Sequence, residues 1–345
     1  MLVEPVRLDT AWRWIEENSQ RIDAEEVDLE AARGRIPVGS PRAASDVPAT
    51  SRAIEDGYAL RAEQTVGAGP YNPLSCPVME AGAGPLPHGA VARIGAGQPL
   101  PAGADAMLPF EFAEPEGEGR ISILTPIAAG DGVVMAASEL RAGDPLWPAG
   151  GHQPLRPAGI GLLSAAGVAR VPVVGRPRTR ILVAGAPDVL GPMLRALVER
   201  DGGAIVELER LERGRAGSAD LVAGADVVLI AGSLESSLEI AIRGVAIEPG
   251  RETCLARLDG TIIALLPILP AACLWSYELV AGRVVRCRGG RDPGLPYATR
   301  RLRARRKIVS GLGFTEVVPV RLDPEHDGAV VPLAGGHMPR LLTAA

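Results

Sequence analysis

The stretch RILVAGAPDVLGPMLRALVERDGGAIVEL, residues 180–208, holds an apolar run, an amphipathic run and a second apolar run in direct succession. Its first six residues are rich in β-branched and aliphatic types, which predicts a buried strand. PMLRALVERDGG then alternates with helical period and stops at two glycines, and AIVEL returns to a strand pattern. Further along, DVVLIAG (226–232) and TIIALLP (261–267) read as strands, and LPAACLWSYELVAG as a closing helix. Strands alternating with helices predict a parallel α/β sheet, with ligands at the carboxyl ends of the strands.

Outward from this core the patterns change. Residues 8–32 carry helical signals: Asp9 or Thr10 as cap, then Trp12, Ile15, Ile22 and Val27 with acids between. From about residue 42 to 134 short β-prone pieces are cut by Gly and Pro, as in CPVMEAGAGPLPHGAVARIGAG and ISILTPI, which predicts a small β-rich domain. PAGIGLLSAAG (157–167) reads as a short helix with Pro157 in its first turn and Gly167 as its stop. After about residue 286 comes a basic cluster (Arg300, Arg301, Arg303, Arg305, Arg306, Lys307), then β-like alternation in FTEVVPVRL and AVVPL, which predicts a small all-β domain.

Composition narrows the functional classes. At 345 residues the chain is expected to hold several domains, and 47% hydrophobic content supports ordinary cores. A formal net charge of −5 argues against sequence-independent nucleic-acid binding, and the basic run 300–307 reads first as a solvated face. The N-terminus carries no signal-peptide pattern, and no run approaches the ~18 apolar residues of a membrane span, so a cytoplasmic protein is expected. Cys76, Cys254, Cys273 and Cys287 are scattered without a CxxC pair, which predicts reduced thiols; His88, His152, His326 and His337 are equally dispersed.

Five segments, in order, resemble those of the molybdopterin molybdotransferases, the bacterial MoeA and gephyrin E-domain family. IEDGYALRA (54–62) is similar to the family's MDGYAVR, and RIGAGQPLPAGADAMLPFE (93–111) to TGAPLPEGADAVV. RAGDPLWPAGGHQPLRPAGIGLLSAAGVARVPV (141–173) resembles the KKGD-LLPAG-LGPAEIGLLASLGI-EVPV run, VAIEPGRET (245–253) resembles VAMKPGKP, and PLAGGHMPRLL (332–342) resembles PL-GG-GS-ML.

The resemblance implies a multidomain α/β plus β protein. An elongated N-terminal dimerisation domain is expected from residues 1–41 and 135–174, with a β-rich domain inserted at 42–134. A parallel α/β, MogA-like molybdopterin-binding domain would span 175–284, and a C-terminal β-barrel 285–345. It also implies a homodimer whose active site lies between the α/β domain of one subunit and the β-rich domain of the other. The implied reaction releases adenylyl from adenylylated molybdopterin and inserts molybdate, with Mg2+. The implied partners are a MogA-like adenylyltransferase or a molybdoenzyme, with no nucleic acid and no membrane.

Carried over position by position, the family places catalytic roles on Asp56 and Glu139. Ligand contacts fall on Gly232, Ser233, Pro249, Gly250, Arg251 and Pro267, and a metal-binding role on Asp188. Several of these positions sit in altered surroundings. The Gly-Asp-Glu-Leu turn is here Gly185-Ala186-Pro187-Asp188, and the glycine-rich cradle reads Gly232-Ser233-Leu234-Glu235. A phosphate cradle needs unobstructed backbone N–H groups, which Leu234 and Glu235 do not favour. Glu248 replaces a lysine beside Pro249-Gly250-Arg251, bringing a like charge to an anionic ligand. The loop Leu266-Pro267-Ile268-Leu269-Pro270 has lost the family's Gly and Asn.

Plain readings stand beside the functional ones. Asp56 fits a turn cap as well as a ligand, Arg251 an ordinary turn arginine, Glu139 a solvated acid, and Gly232-Ser233 a simple strand end. The expectation is therefore a protein of molybdenum cofactor biosynthesis with reduced or lost turnover. The alternative is a non-catalytic scaffold of the same family that binds a pterin or a partner.

Overall fold

The computed structural model describes residues 4–80, 84–117, 119–148, 150–184, 189–211, 218–232 and 238–333. The region predicted as α/β forms a six-stranded sheet in the order Ala204–Leu211, Arg178–Ala184, Val227–Ala231, Thr261–Leu266, Cys254–Leu258, Ile240–Arg243. The first four run parallel and the last two antiparallel, so the sheet is mixed at one edge where an all-parallel sheet was expected. The reversal is made by a two-residue turn at Asp259 (φ 48°) and Gly260 (φ 81°), the left-handed pair that a tight hairpin requires.

Both faces of the parallel strands are covered. Val227, Leu229 and Ala231 pack with Leu190, Leu194 and Val198 of helix Leu190–Arg200 and with Tyr277, Val280 and Val284 of the closing helix. Val228 and Ile230 face a second cluster with Leu182, Leu221 and Ile263. The closing helix runs from Pro270 to Arg288 with a π-helical turn at Tyr277–Ala281.

The predicted helix over 8–32 is corrected. A helix occupies Leu8–Asn18, a strand Ala24–Asp28, and a single helical turn Leu29–Ala32. The strand exists because it pairs antiparallel with Arg170–Val174, a partner remote in sequence that overrides the helix-prone composition of AEEVD. Arg7 stands at the helix N-cap without a capping hydrogen bond, and the expected cap Asp9 lies in the first turn, ion-paired to Arg7 at 3.0 Å. Leu8, Ala11 and Ile15 share the buried face of this helix and join the α/β core. Trp12 Nε1 donates to the Leu279 carbonyl at 2.7 Å.

The β-rich region is a six-stranded sheet in the order Ala106–Pro109, Gly57–Leu60, Val91–Ile94, Leu74–Glu80, Arg120–Ile123, Ala113–Gly117. It has a core on each face, one around Leu60, Val91, Leu108 and Ile123, the other around Ala59, Ala92, Ile94 and Met107. At its base Arg52–Ala53 pairs with Val133–Val134. The short helix expected after Pro157 spans Pro157–Ala165, with Gly167 at φ 75° beyond it.

Toward the C-terminus Arg303–Ala304, Ala329–Pro332 and Val320–Leu322 form a three-stranded sheet, and Thr315–Glu316 pairs parallel with Ile247–Glu248 of the α/β region. Among the described residues no helix is long and apolar enough to cross a membrane. All four cysteines are free.

Candidate functional site

The carboxyl ends of the parallel strands bring three segments together. Gly232 follows Val227–Ala231, and its amide donates to the Leu266 carbonyl at 3.0 Å. Its φ is 107°, and a Cβ placed there would lie 2.4 Å from the carbonyl oxygen of Ala184. Only glycine lets the backbone pass between its two neighbours at this point. Pro267 continues from Leu266 beside it and leads into Ile268 and Leu269, which are 47% and 68% exposed. Thus Gly232 and Pro267 meet at the strand ends. Ser233 and Asp188 lie outside the described residues.

The Pro249-Gly250-Arg251 segment is a tight turn built around a cis Glu248–Pro249 bond. Gly250 has φ 125°, and a Cβ there would fall 2.5 Å from Ser276 Oγ. Thr253 Oγ1 lies 2.6 Å from both the Gly250 carbonyl oxygen and Ser276 Oγ, which fastens the turn to the closing helix.

The expected charge conflict at Glu248 takes a different form. Arg251 donates through Nη2 (3.0 Å) and Nε (3.2 Å) to Glu248 Oε2, and its guanidinium sits 5.0 Å over the Phe314 ring. Instead of merely repelling an anion, Glu248 occupies the cation that would receive one. The spacing of three residues was the only sequence signal for this pair.

Asp56 and Glu139 lie elsewhere in the chain's fold. Asp56 Oδ1 accepts the Ala96 amide at 2.8 Å, and Gln98 Oε1 accepts that of Gly95, so Asp56 fastens the turn at 95–98. The side chain of Glu139 is exposed, while its amide donates to the Val47 carbonyl. Among the described residues no hydrogen bond or ion pair joins either acid to Gly232, Pro249, Gly250, Arg251 or Pro267.

One charged cluster had no sequence signal because three distant parts of the chain build it. Asp201, fully buried, accepts from Arg286 Nη1 at 2.7 Å and from Arg200 at 3.0 and 3.1 Å. Arg200 also forks onto both carboxylate oxygens of buried Glu278, whose Oε1 accepts from Tyr297 at 2.7 Å. Burial works against the Arg200 charge, but the bonds to Glu278 and Asp201 outweigh it and hold the guanidinium firmly protonated. Burial, helped by the Glu278 carboxylate, pushes the Tyr297 phenol up to about 12. This cluster ties the C-terminal end of helix Leu190–Arg200 to the closing helix.

Among the described residues the only grouping of three potential metal donors is Asp323, Glu325 and His326, in the turn between Val320–Leu322 and Ala329–Pro332. Among the described residues at the strand ends no comparable set of carboxylates gathers.

Known proteins share this fold. A family model described as "MoeA N-terminal region (domain I and II)" matches residues 6–167. A crystal structure of a molybdopterin biosynthesis MoeA protein from Pyrococcus horikoshii superposes with a TM-score of 0.78 at 26% identity, over 99% of this chain and 93% of that one. Over most of its length the chain is similar to proteins of the MoeA family. Among curated members of the family, a molybdopterin molybdenumtransferase of Staphylococcus aureus is 27% identical over 81% of this chain and 75% of its own length. "Molybdopterin molybdenumtransferase 2" of Mycobacterium tuberculosis is 28% identical over 73% of this chain and 72% of its own. The family match covers the β-rich region and the stretches of chain on either side of it, while the structural likeness extends through the α/β sheet.

Proposed function

We propose that this chain serves molybdenum cofactor biosynthesis as a MoeA-family protein of the cytoplasm, with molybdopterin, in adenylylated form, and molybdate as its ligands. The similarity to proteins named molybdopterin molybdenumtransferase over most of the chain carries this reading. In it Gly232, Ser233, Pro249, Gly250, Arg251 and Pro267 border the anionic ligand. Asp56 and Glu139 are supplied by the second subunit of a homodimer, and Asp188 is the remaining acid for Mg2+. Turnover is reduced or lost, because the Arg251 cation is already committed to Glu248 and Ile268 and Leu269 put apolar side chains where a polar handle is needed.

The same ion pair favours a second reading, a non-catalytic scaffold that retains pterin or partner binding, for example to a MogA-like adenylyltransferase or a molybdoenzyme. Complementation of a strain lacking its molybdotransferase tests the two together. Weak or absent recovery of nitrate reductase activity is expected. Full recovery would show that the site works as it stands, and recovery of pterin binding without activity would select the scaffold.

A further inference from the structure

The run Arg300, Arg301, Arg303, Arg305, Arg306 and Lys307 brackets the strand Arg303–Ala304 of the C-terminal sheet, and every residue of 300–307 is exposed. Among the described residues only Arg305 has an acidic partner, Asp323 at 3.3 Å. Arg303–Ala304 is also the outermost strand of its sheet, next to Ala329–Pro332. The amides of Arg303 and Arg305 donate inward, to the carbonyls of Gly328 and Val330 at 2.9 Å. Alternation along a strand therefore turns the Ala304 amide outward, along an edge that no described strand covers. Apolar groups flank the cations: Leu302 is 40% exposed, Ile308 39% and Val309 73%.

From this we propose that the Arg303–Ala304 edge docks an extended acidic polypeptide segment by strand addition. Such an edge offers main-chain hydrogen bonds for affinity, and the side chains beside it select the partner. Cations on an exposed edge repel strands of like charge, which is how edges avoid unwanted pairing, and the same cations admit an acidic strand. The alternative polyanion, a nucleic acid, fits less well. The chain carries −5 overall, so removing these six cations leaves −11 on the rest of the molecule, which repels a long polyanion. A short acidic peptide lies within about one Debye length, ~8 Å, of the patch alone. The run 300–307 also contains no aromatic side chain on which bases would stack.

The test is a titration of the full chain with a short fluorescent peptide of alternating Glu and Val. A Lys-Val peptide of equal length and single-stranded oligothymidylate serve as comparators. The acidic peptide is expected to bind most tightly and to weaken with salt. Affinity should fall about tenfold in the triple variant Arg300→Glu, Arg301→Glu, Arg306→Glu. Ala304→Pro, which leaves the charge unchanged but removes the outward amide, should also weaken binding several-fold. Should that variant disturb the sheet, hydrogen exchange on the wild type supplies the second readout: bound peptide should slow exchange of the Ala304 amide. No binding at low salt would overturn the proposal. So would oligothymidylate binding at least as tight as peptide, or salt-sensitive self-association abolished by the charge reversals, which would assign the edge to a nucleic acid or to a second copy of the chain.

Discussion

Glu248 and Arg251, three residues apart across a cis-proline turn, are joined by two hydrogen bonds of 3.0 and 3.2 Å, and Phe314 closes the far side of the guanidinium. Both side chains are about half exposed, so water screens the pair and its worth is ~1 kcal/mol or less. An incoming anion has to break it. Replacing Glu248 with Gln frees the cation, and Glu248→Lys adds a second one. Binding of inorganic pyrophosphate or a nucleotide, followed by titration calorimetry, should tighten about two- to fivefold in Glu248→Gln and further in Glu248→Lys. Equal affinities in all three proteins would mean that anions do not bind at this turn.

The backbone crossing at Gly232 makes a prediction about stability rather than ligand. An alanine there is strained at φ 107° and drives its Cβ toward the Ala184 carbonyl oxygen at 2.4 Å. Gly232→Ala should cost ~2–4 kcal/mol, seen as a lower denaturant midpoint with an unchanged slope. A variant as stable as wild type would show that the strand ends separate freely, and the glycine would then be a matter of ligand access alone.

Asp201 is fully buried and accepts from two arginines. Removing it by Asp201→Ala leaves Arg286, whose side chain is 4% exposed, without its carboxylate. A loss of about 3–5 kcal/mol is expected. The double variant Asp201→Ala, Arg286→Met should recover part of that loss, because the orphaned charge goes with it. Equal stability of single and double variants would show that Arg200 and the carbonyls around Arg286 suffice to hold it.

Cys273 gives the pH prediction. Burial alone pushes its thiol from 9.0 up to about 12, so the folded state favours the protonated form. A raised pKa contributes stability that is fully present below the unfolded value and is lost as pH rises through the folded one. Stability should therefore decline between pH 9 and about 12, and Cys273→Ala should flatten that part of the profile whatever it does to the absolute value. Thiol reagents at mildly alkaline pH should leave Cys273 unmodified until the protein unfolds. Rapid native-state labelling would mean that the helix Pro270–Ser276 opens readily.

The parts of the fold readable from sequence were those set by local pattern. The apolar runs at 181–183, 227–231 and 261–266 are strands buried on both faces, and such runs carry their own signal. Ala24–Asp28 does not, because a polar five-residue segment becomes a strand only through Arg170–Val174. The hairpin at Asp259-Gly260 was signalled by its turn residues yet hidden by the expectation of a uniform parallel sheet. At the site, sequence singled out Gly232 and Pro267 as ligand contacts by family resemblance, and only the structure sets Gly232 beside the Leu266 carbonyl. It also treated Glu248 as an isolated opposing charge, since a side chain's partner is decided by the curl of the turn and not by its place in a motif. Asp201, Glu278 and Arg286 were illegible for the opposite reason: each is unremarkable locally, and only packing of two helices gives them a common purpose.

The pairing of Arg52–Ala53 with Val133–Val134 has a bearing on how the chain finds its shape. Ala24–Asp28 must wait for Arg170–Val174, and about 140 residues intervene, of which the β-rich insert holds about 80. Because that insert starts and finishes at one hydrogen-bonded point, folding it first shortens the effective loop to about 60 residues and lowers the closure cost by ~0.7 kcal/mol. The insert thus acts as a staple for its host. A chain in which it folds late would pair Ala24–Asp28 with Arg170–Val174 more slowly, while its final structure stayed the same.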